Sequence, residues 1–184
     1  MRLVILGGPG AGKGTQAEQL CHRLRIPWIS TGEMLIAAIA TQADLGKQAA
    51  SYVEQGELVP DEIMIELIRQ RLLLPDTRQG WLLDGYPRTA FQAEELDFLL
   101  EDLHQGLDWG IYLNVPDPIL MERSLGRSRL DDKPGAIQRR IELFHQRTVP
   151  ILEYYSPRGR LLEIQGDQSP QQIQQEILQG LKID

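Results

Sequence analysis

One glycine-rich stretch near the start constrains the fold of this chain more than any other: Gly7-Gly8-Pro9-Gly10-Ala11-Gly12-Lys13-Gly14-Thr15. It follows the apolar run 3–6 and precedes an amphipathic segment that reaches about Arg25, so we predict a strand, a loop and a helix. Glycines allow positive φ angles and let the backbone come close to a ligand. Several backbone N–H groups can then point into one hollow at a helix N-terminus, where the helix dipole favours negative charge.

The side chains of this stretch fit the same chemistry. Lys13 can reach the β- and γ-phosphates of a nucleotide, and Thr15 adds a hydroxyl group, so a di- or triphosphate fits. The spacing Gly7-x4-Gly12-Lys13 matches a P-loop, except that Gly14 stands where the general pattern has Ser or Thr. The alternative is a glycine-rich turn without a ligand. We favour the P-loop because strand, glycines, lysine and helix occur in the required order.

Length and charge narrow the class of protein. The 184 residues predict a single domain, 1–184, which is long enough to bury about 70% of the surface of the unfolded chain. The net charge of −7, from 19 basic and 26 acidic residues, disfavours nucleic-acid binding through a basic surface. An acidic protein can still bind polyphosphate where arginines are gathered locally.

The one cysteine and the apolar runs bear on the cellular compartment. Cys21 excludes an internal disulfide framework, and we interpret it as a small core residue rather than a nucleophile. No apolar run approaches the ~20 residues of a membrane span, and no leader peptide is seen. We therefore expect a cytoplasmic protein that does not bind membranes.

Extended and helical patterns alternate along the chain. Short strands are predicted at 2–6, 26–29, 80–85, 109–115 and 161–165. Helices are predicted at Lys13–Arg25, Met34–Ala40, Asp44–Gln55, Asp61–Leu74, Thr89–Leu100, Asp117–Gly126, Ala136–Tyr155 and Ser169–Leu181. Strands joined by helices predict an α/β fold with a five-stranded parallel sheet and helices on both faces. Ligands of such sheets bind outside the carboxyl ends of the strands, and the excursions 30–59 and 128–135 could close over one.

A second motif follows the third predicted strand. Asp84, at the end of that strand, can hold hydrated Mg²⁺, since this ion usually keeps several waters. Arg88 offers a planar, bidentate donor for a phosphate group. Alone, these residues would be interpreted as a helix cap and a surface charge. With a P-loop in the same sheet, the functional interpretation is favoured.

Arginines are concentrated in the segment 123–147: Arg123, Arg127, Arg129, Arg139, Arg140 and Arg147. Arginine clamps phosphate better than lysine does. Solvated helix faces are the usual reason for such a cluster, and we assign about half of this group to a polyanion site and Arg147 to solvent. Phosphoryl transfer suits these groups, because it needs positioning and charge neutralisation more than covalent chemistry. The three histidines, His22, His104 and His145, show no metal-ligand spacing.

These motifs together resemble the adenylate kinase family of nucleoside monophosphate kinases. The matching residues run in family order across nearly the whole chain: Gly7-x-Pro9-Gly10-x-Gly12-Lys13-Gly14-Thr15, Ser30-Thr31-Gly32, Leu58-Val59-Pro60-Asp61-Glu62, Leu83-Asp84-Gly85-Tyr86-Pro87-Arg88 with Gln92, Gly126-Arg127-x-Arg129-x-Asp131-Asp132, and Arg140. Gly14 after the lysine, which is odd for a general P-loop, is the form that this family has.

The resemblance implies a P-loop NTPase-like core and the reaction MgATP + AMP ⇌ 2 ADP. It implies two mobile sub-regions, a monophosphate-binding segment at 30–59 and a short lid at 127–134, which is too brief for a zinc-binding or long hairpin lid. ATP is the implied phosphoryl donor, with Mg²⁺ carried on the nucleotide and no metal site of the protein's own. The implied partners are ATP, AMP and ADP, and we expect a monomer.

The resemblance also implies roles for individual residues. The ATP side would comprise Gly10, Ala11, Gly12, Lys13, Gly14, Thr15, Arg123, Arg127 and Gln168. The AMP side would comprise Thr31, Glu57, Leu58, Val59, Gly85, Tyr86, Pro87, Arg88 and Gln92, of which Gln92 would read the base edge. The catalytic set would be Lys13, Arg88, Arg123, Arg129 and Arg140, of which Arg129 and Arg140 also bind the substrate phosphoryl group. Asp84 would orient hydrated Mg²⁺, and Asp132 would support the lid arginines.

One position departs from the family pattern. The family has an AMP-phosphate-binding arginine after Met34-Leu35, and this chain has Ile36. A charged hydrogen bond contributes roughly 1.5–3 kcal/mol, so we expect weaker AMP binding unless another basic group, such as Lys47, substitutes. Two alternatives remain open: a kinase for another monophosphate, UMP or CMP, and a weakly active nucleotide-binding paralogue. Thr31 favours AMP, since the pyrimidine branch typically has Ala there.

Overall fold

A computed structural model of the chain describes residues 1–54, 59–126 and 133–183. Five parallel strands form one sheet in the order β2-β3-β1-β4-β5. The strands are β1 Arg2–Leu6, β2 Trp28–Ser30, β3 Trp81–Asp84, β4 Trp109–Asn114 and β5 Leu161–Gln165. The predicted fold class is therefore confirmed, and β1, which leads into the glycine-rich loop, lies in the middle of the sheet.

Helices cover both faces of this sheet, as the side chains of β1 show. Leu3 and Ile5 belong to one buried cluster, and Val4 and Leu6 belong to another. The first cluster includes residues of the helices Lys13–Leu24 and Pro170–Gly180, and the second includes residues of the helices Asp61–Leu72 and Ala90–Asp102. The helices are α1 Lys13–Leu24, α2 Thr31–Ala40, α3 Asp44–Glu54, α4 Asp61–Leu72, α5 Ala90–Asp102, α6 Asp117–Gly126, α7 Pro134–Leu143, α8 Pro150–Tyr155 and α9 Pro170–Gly180.

The long helix predicted at Ala136–Tyr155 is wrong. The chain forms α7, then a π-helical turn at Phe144–Thr148, then α8. Pro150 has no N–H group and its ring crowds the carbonyl four residues earlier, so a regular helix cannot continue through it. The backbone N–H of Val149 instead reaches the carbonyl of Phe144 at 3.1 Å, which widens the turn just before the proline.

Several predicted helix ends also shift, including the start of α2 and the end of α4. α2 begins at Thr31 rather than Met34, because the Ser30 hydroxyl already accepts the N–H of Glu33 at 3.4 Å as an N-cap. α4 ends at Leu72 rather than Leu74. At the other end of the chain, Ser169 caps α9 with a capping box, as the sequence predicts.

The helices pack closely on each other and on the sheet. A Cβ on Gly46 would lie 2.1 Å from the Ala38 carbonyl oxygen, so α3 crosses α2 at close range only because this residue is glycine. The thiol of Cys21, on the buried face of α1, lies in the core, and burial raises its pKa to about 12. Within the described ranges, no helix is both long and apolar enough to cross a membrane.

Candidate active site

The loop between β1 and α1 forms a cradle whose shape requires glycine. Gly10 and Gly12 have φ angles of 82° and 91°, which side chains rarely allow. A Cβ on Gly10 would lie 2.6 Å from the Leu120 carbonyl oxygen and 2.7 Å from the Ser124 hydroxyl oxygen. Gly10 therefore lets the loop pack directly on α6, which holds the cradle from behind.

The opposite side of the same loop is open. A Cβ on Gly12 would meet no described atom within 4 Å, and Gly12 is the N-cap of α1. The first turn of a helix leaves backbone N–H groups without an acceptor inside the helix, so an anion can bind at this end of α1. Lys13 curves over the loop, since its Nζ donates to the carbonyl oxygens of Gly7 at 2.8 Å and Gly8 at 3.0 Å.

The residues after Lys13 complete the cradle. Thr15 is exposed at the start of α1. Gly14 lies beside the exposed ring of Trp28, which would be 3.6 Å from a Cβ at position 14. Ala11 is buried, and its N–H donates to the Gly8 carbonyl at 3.2 Å, which closes the loop.

A second group of predicted residues lies at the carboxyl ends of β2 and β3. Ser30 and Asp84 are paired in the parallel register, so the following residues of both strands are neighbours. The hydroxyl of Thr31 donates to the Asp84 carbonyl at 3.3 Å. Gly85 has φ 92°, and a Cβ there would lie 2.6 Å from the Thr31 hydroxyl oxygen. Only glycine at position 85 permits this close approach.

Hydrogen bonds fix the backbone of Arg88 at both its N–H and its carbonyl. Its backbone N–H donates to Gln92 Oε1 at 2.7 Å, and its carbonyl accepts the Thr148 hydroxyl at 3.0 Å. Its side chain turns back, so that Nε donates to the Gly85 carbonyl at 2.7 Å. Partial loss of hydration lowers the pKa of the Arg88 guanidinium, and the negative charge of Asp84 opposes that change. The guanidinium remains a cation at neutral pH.

Two further residues of the predicted ATP side, Arg123 and Gln168, lie near the end of β5. Arg123 Nη1 donates to the Gly166 carbonyl at 2.7 Å, which joins α6 to the turn after β5. In that turn, Gln168 Nε2 donates to the Gln165 carbonyl at 3.2 Å and to Glu176 Oε1 at 2.8 Å. The structure thus brings Arg123 and the turn of Gln168 together.

Other predicted residues are less closely grouped, or lie outside the described ranges. Arg140 lies on α7, where its Nε donates to the Ala136 carbonyl at 3.4 Å. Tyr86 and Pro87 are buried, and Val59 packs partly against the core. The predictions for Glu57, Leu58, Arg127, Arg129 and Asp132 fall outside the described residues.

The position that departs from the family pattern lies on α2. Ile36 is 66% exposed, so its apolar side chain projects from the helix rather than into the core. Lys47, the basic residue considered as a substitute, lies 3.8 Å from Asp44 on α3. This weak, exposed pair does not prevent Lys47 from turning elsewhere.

Sequence reasoning missed two residues that organise the site. Asp61 Oδ1 accepts Gln92 Nε2 at 2.6 Å, and Thr148 holds the carbonyl of Arg88. The sequence places Asp61 in the family motif at 58–62 and at the start of a helix, but does not predict its contact with Gln92. Thr148 lies in the π-helical turn, which the sequence did not predict. Among the described residues, histidine, cysteine and acidic side chains form no group of three or more that could hold a metal.

Comparison with known proteins gives a consistent result. A family model described as adenylate kinase matches residues 5–160. Adenylate kinase 2 of Nostoc sp. is 61% identical over 183 residues, covering 100% of both chains. Adenylate kinase 2 of Synechocystis sp. is 54% identical over 181 residues, covering 98% of this chain and 100% of that one. Adenylate kinase of Stenotrophomonas maltophilia is 42% identical over 186 residues, covering 99% and 100%.

Proposed function

The chain belongs to the adenylate kinase family, and from that premise we propose how its residues perform the reaction of the family. The reaction is the reversible transfer of the terminal phosphoryl group of MgATP to AMP, which gives two ADP. The protein is thus an ATP:AMP phosphotransferase. The observation that supports this most directly is the glycine cradle with Lys13 at the end of β1, one strand away from Arg88 after β3.

We assign the ATP phosphates to the cradle. The backbone of 10–15 would donate to phosphate oxygens, because the first turn of α1 leaves N–H groups without an acceptor inside the helix. Lys13 would exchange its bonds to the Gly7 and Gly8 carbonyls for bonds to the β- and γ-phosphates. Arg123 and Arg127 would contact ATP, and the turn of Gln168 would lie against its adenine.

We assign AMP to the group at the ends of β2 and β3. Arg88 would bind the AMP phosphate, since its backbone is fixed at both the N–H and the carbonyl. Gln92 would read the edge of the base, and Thr31, Gly85, Tyr86, Pro87 and the backbone of 57–59 would enclose the nucleoside. Thr31 already lies at Gly85, so this side of the pocket needs no rearrangement.

The transfer itself would depend on positive charge. Lys13, Arg88, Arg123, Arg129 and Arg140 would neutralise the oxygens of the transferring group while the two nucleotides hold it in line. Asp84 suits an outer-shell role, because one carboxylate at a strand end matches an ion that keeps most of its waters. Mg²⁺ would neutralise phosphate charge when it arrives with the nucleotide. Asp132 would support the arginines of segment 127–134.

The family premise extends to behaviour that the site alone does not determine. We propose that 30–59 and 127–134 close over the substrates and exclude water, which limits hydrolysis of ATP. ATPase activity without AMP that rivals kinase activity would contradict this proposal. We further propose a cytoplasmic monomer. Size-exclusion chromatography with light scattering measures the oligomeric state.

A coupled assay of ADP formation tests the function. ATP is supplied with AMP, UMP, CMP or IMP in turn, and we expect AMP to give the highest kcat/KM. Arg88→Ala should lower kcat/KM for AMP about 100-fold, whereas Arg78→Ala, which replaces an exposed arginine after the short helix Pro75–Thr77, should leave it unchanged. Equal activity of the Arg88 variant and the parent would reject the assignment. Tight ATP binding without turnover would favour the weakly active paralogue, which only Ile36 suggests.

A further inference from the structure

A relay of side chains connects α4 to the proposed AMP pocket. Asp61, in the first turn of α4, accepts a hydrogen bond from Gln92 Nε2 at 2.6 Å. Gln92, in the first turn of α5, accepts the backbone N–H of Arg88 through Oε1 at 2.7 Å. Gln92 is only 8% exposed, so water does not readily replace either partner.

These two partners fix which way round the carboxamide of Gln92 lies. An ionised aspartate only accepts hydrogen bonds, and a backbone N–H only donates them. Rotation of the carboxamide by 180° would place Oε1 against the Asp61 carboxylate and Nε2 against the Arg88 N–H. Both bonds would be lost and two like-polarity contacts would replace them. Asp61 supplies the charged, and therefore stronger, half of this restraint.

The fixed carboxamide keeps one donor and one acceptor for a ligand. Nε2 has two N–H groups and Oε1 has two lone pairs, and Asp61 and Arg88 use one of each. Adenine presents an acceptor at N1 beside a donor at N6, so it matches the remaining pair. Hypoxanthine presents a donor at N1 beside an acceptor at O6, so it meets repulsion at both atoms.

We propose that Asp61 is the positioning residue that selects adenine as the base of the monophosphate, because it fixes the orientation of the Gln92 carboxamide. The inference rests on the proposed function, in which Gln92 reads the base. Asp61 does not touch the nucleotide in this mechanism. It acts through Gln92, and its removal lets the carboxamide turn toward a base of the opposite polarity at lower cost.

A purely structural role for Asp61 makes a different prediction. As an acid in the first turn of α4, Asp61 also interacts with the helix dipole, and Glu62 beside it does the same. Glu62 is exposed and has no part in the relay, so Glu62→Ala is the matched control for loss of a negative charge at this helix end. A disturbance of Arg88, in turn, would weaken all monophosphates alike.

The experiment compares AMP with IMP as acceptors for the parent protein, Asp61→Ala, Asp61→Asn and Glu62→Ala, each checked by thermal unfolding. For Asp61→Ala we expect the KM for AMP to rise about tenfold, kcat and the KM for ATP to stay within about twofold, and the AMP:IMP ratio of kcat/KM to fall about tenfold. Asp61→Asn keeps a neutral acceptor, so the ratio should fall about threefold. Glu62→Ala should leave the ratio unchanged.

Each outcome decides between the proposals. If the parent forms ADP from AMP but the AMP:IMP ratio is unchanged in Asp61→Asn and in any folded Asp61→Ala, the inference is wrong and the function stands. If the Glu62 variant changes the ratio as much as the Asp61 variants do, the effect belongs to the helix end and the inference is again wrong. If the parent forms no ADP with any monophosphate, the proposed function fails and the inference fails with it. Asp61→Asn, which preserves side-chain shape, decides the matter if the alanine variant does not fold.

Discussion

The cradle after β1 and the pocket after β3, to which we assign the two sets of phosphates, are built by different means. The cradle is built from backbone, in the middle of the sheet, with Gly10 and Gly12 in conformations that only glycine tolerates well. The pocket is built from side chains near the edge of the sheet, where Asp61, Gln92 and Thr148 hold Arg88. A backbone site is fixed by the fold and tolerates few substitutions. A side-chain site can change one residue at a time. Ile36, which stands where the family has an arginine, lies on this AMP side, which we call the adjustable side.

The largest effect is expected from the one side chain on which the cradle depends. Lys13→Met removes the cation that lies over the loop, and we expect kcat/KM to fall by about 10²–10³. The coupled ADP assay measures it, with Lys182→Met, an exposed lysine near the C-terminus, as the control. A Lys13 variant within fivefold of the parent would mean that the backbone alone suffices.

The next largest effect is a loss of stability that depends on the backbone conformation of the cradle and not on a functional side chain. Gly10→Ala adds no charge but places a Cβ 2.6 Å from the Leu120 carbonyl at a φ of 82°. We expect the free energy of unfolding to fall by about 2–4 kcal/mol, from strain and overpacking together. Urea unfolding measures this, and Gly159→Ala is the matched control, because Gly159 also has a positive φ, 64°, but its Cβ would meet no described atom within 4 Å. Equal stability of the two variants would show that the loop is not held against α6.

A smaller effect is expected on the adjustable side. Ile36→Arg restores the family residue at a side chain that is 66% exposed, so the new cation costs little to accommodate. We expect the KM for AMP to fall about tenfold while the KM for ATP is unchanged. An unchanged KM for AMP would mean that another group already serves the phosphate. Lys47→Ala then shows whether that group is Lys47.

The smallest effect comes from an ion pair remote from both regions. Arg71 donates two hydrogen bonds to Asp76, at 2.9 and 2.7 Å, and this contact lowers the pKa of the Asp76 carboxyl. Because the folded pKa lies below the unfolded value, the stabilisation is present above about pH 4 and is lost as pH falls through the folded pKa. The Asp76 side chain is 51% exposed, so Arg71→Ala should cost at most about 1 kcal/mol at pH 7. Urea unfolding of parent and variant should show a smaller difference at pH 2.5 than at pH 7.

What the sequence could and could not predict follows the same division. The bounds of β1, α6 and β5 match the predictions, because each depends on a local pattern. The cradle was predictable for the same reason. The hydrogen bond from Gln92 to Asp61 joins residues 31 positions apart, and only the packing of α4 beside α5 brings them together. The π-helical turn before Pro150 was missed because the apolar spacing on either side of it reads as one helix.

The buried thiol of Cys21 has a practical consequence. With its pKa raised to about 12, hardly any of it is thiolate at neutral pH, so maleimide reagents should leave it untouched. New surface cysteines can therefore be labelled in the parent sequence without first replacing Cys21. Val53→Cys and Leu125→Cys, at surface positions on α3 and α6, would accept a pair of fluorescent dyes, and energy transfer between them would report nucleotide-driven changes in their separation.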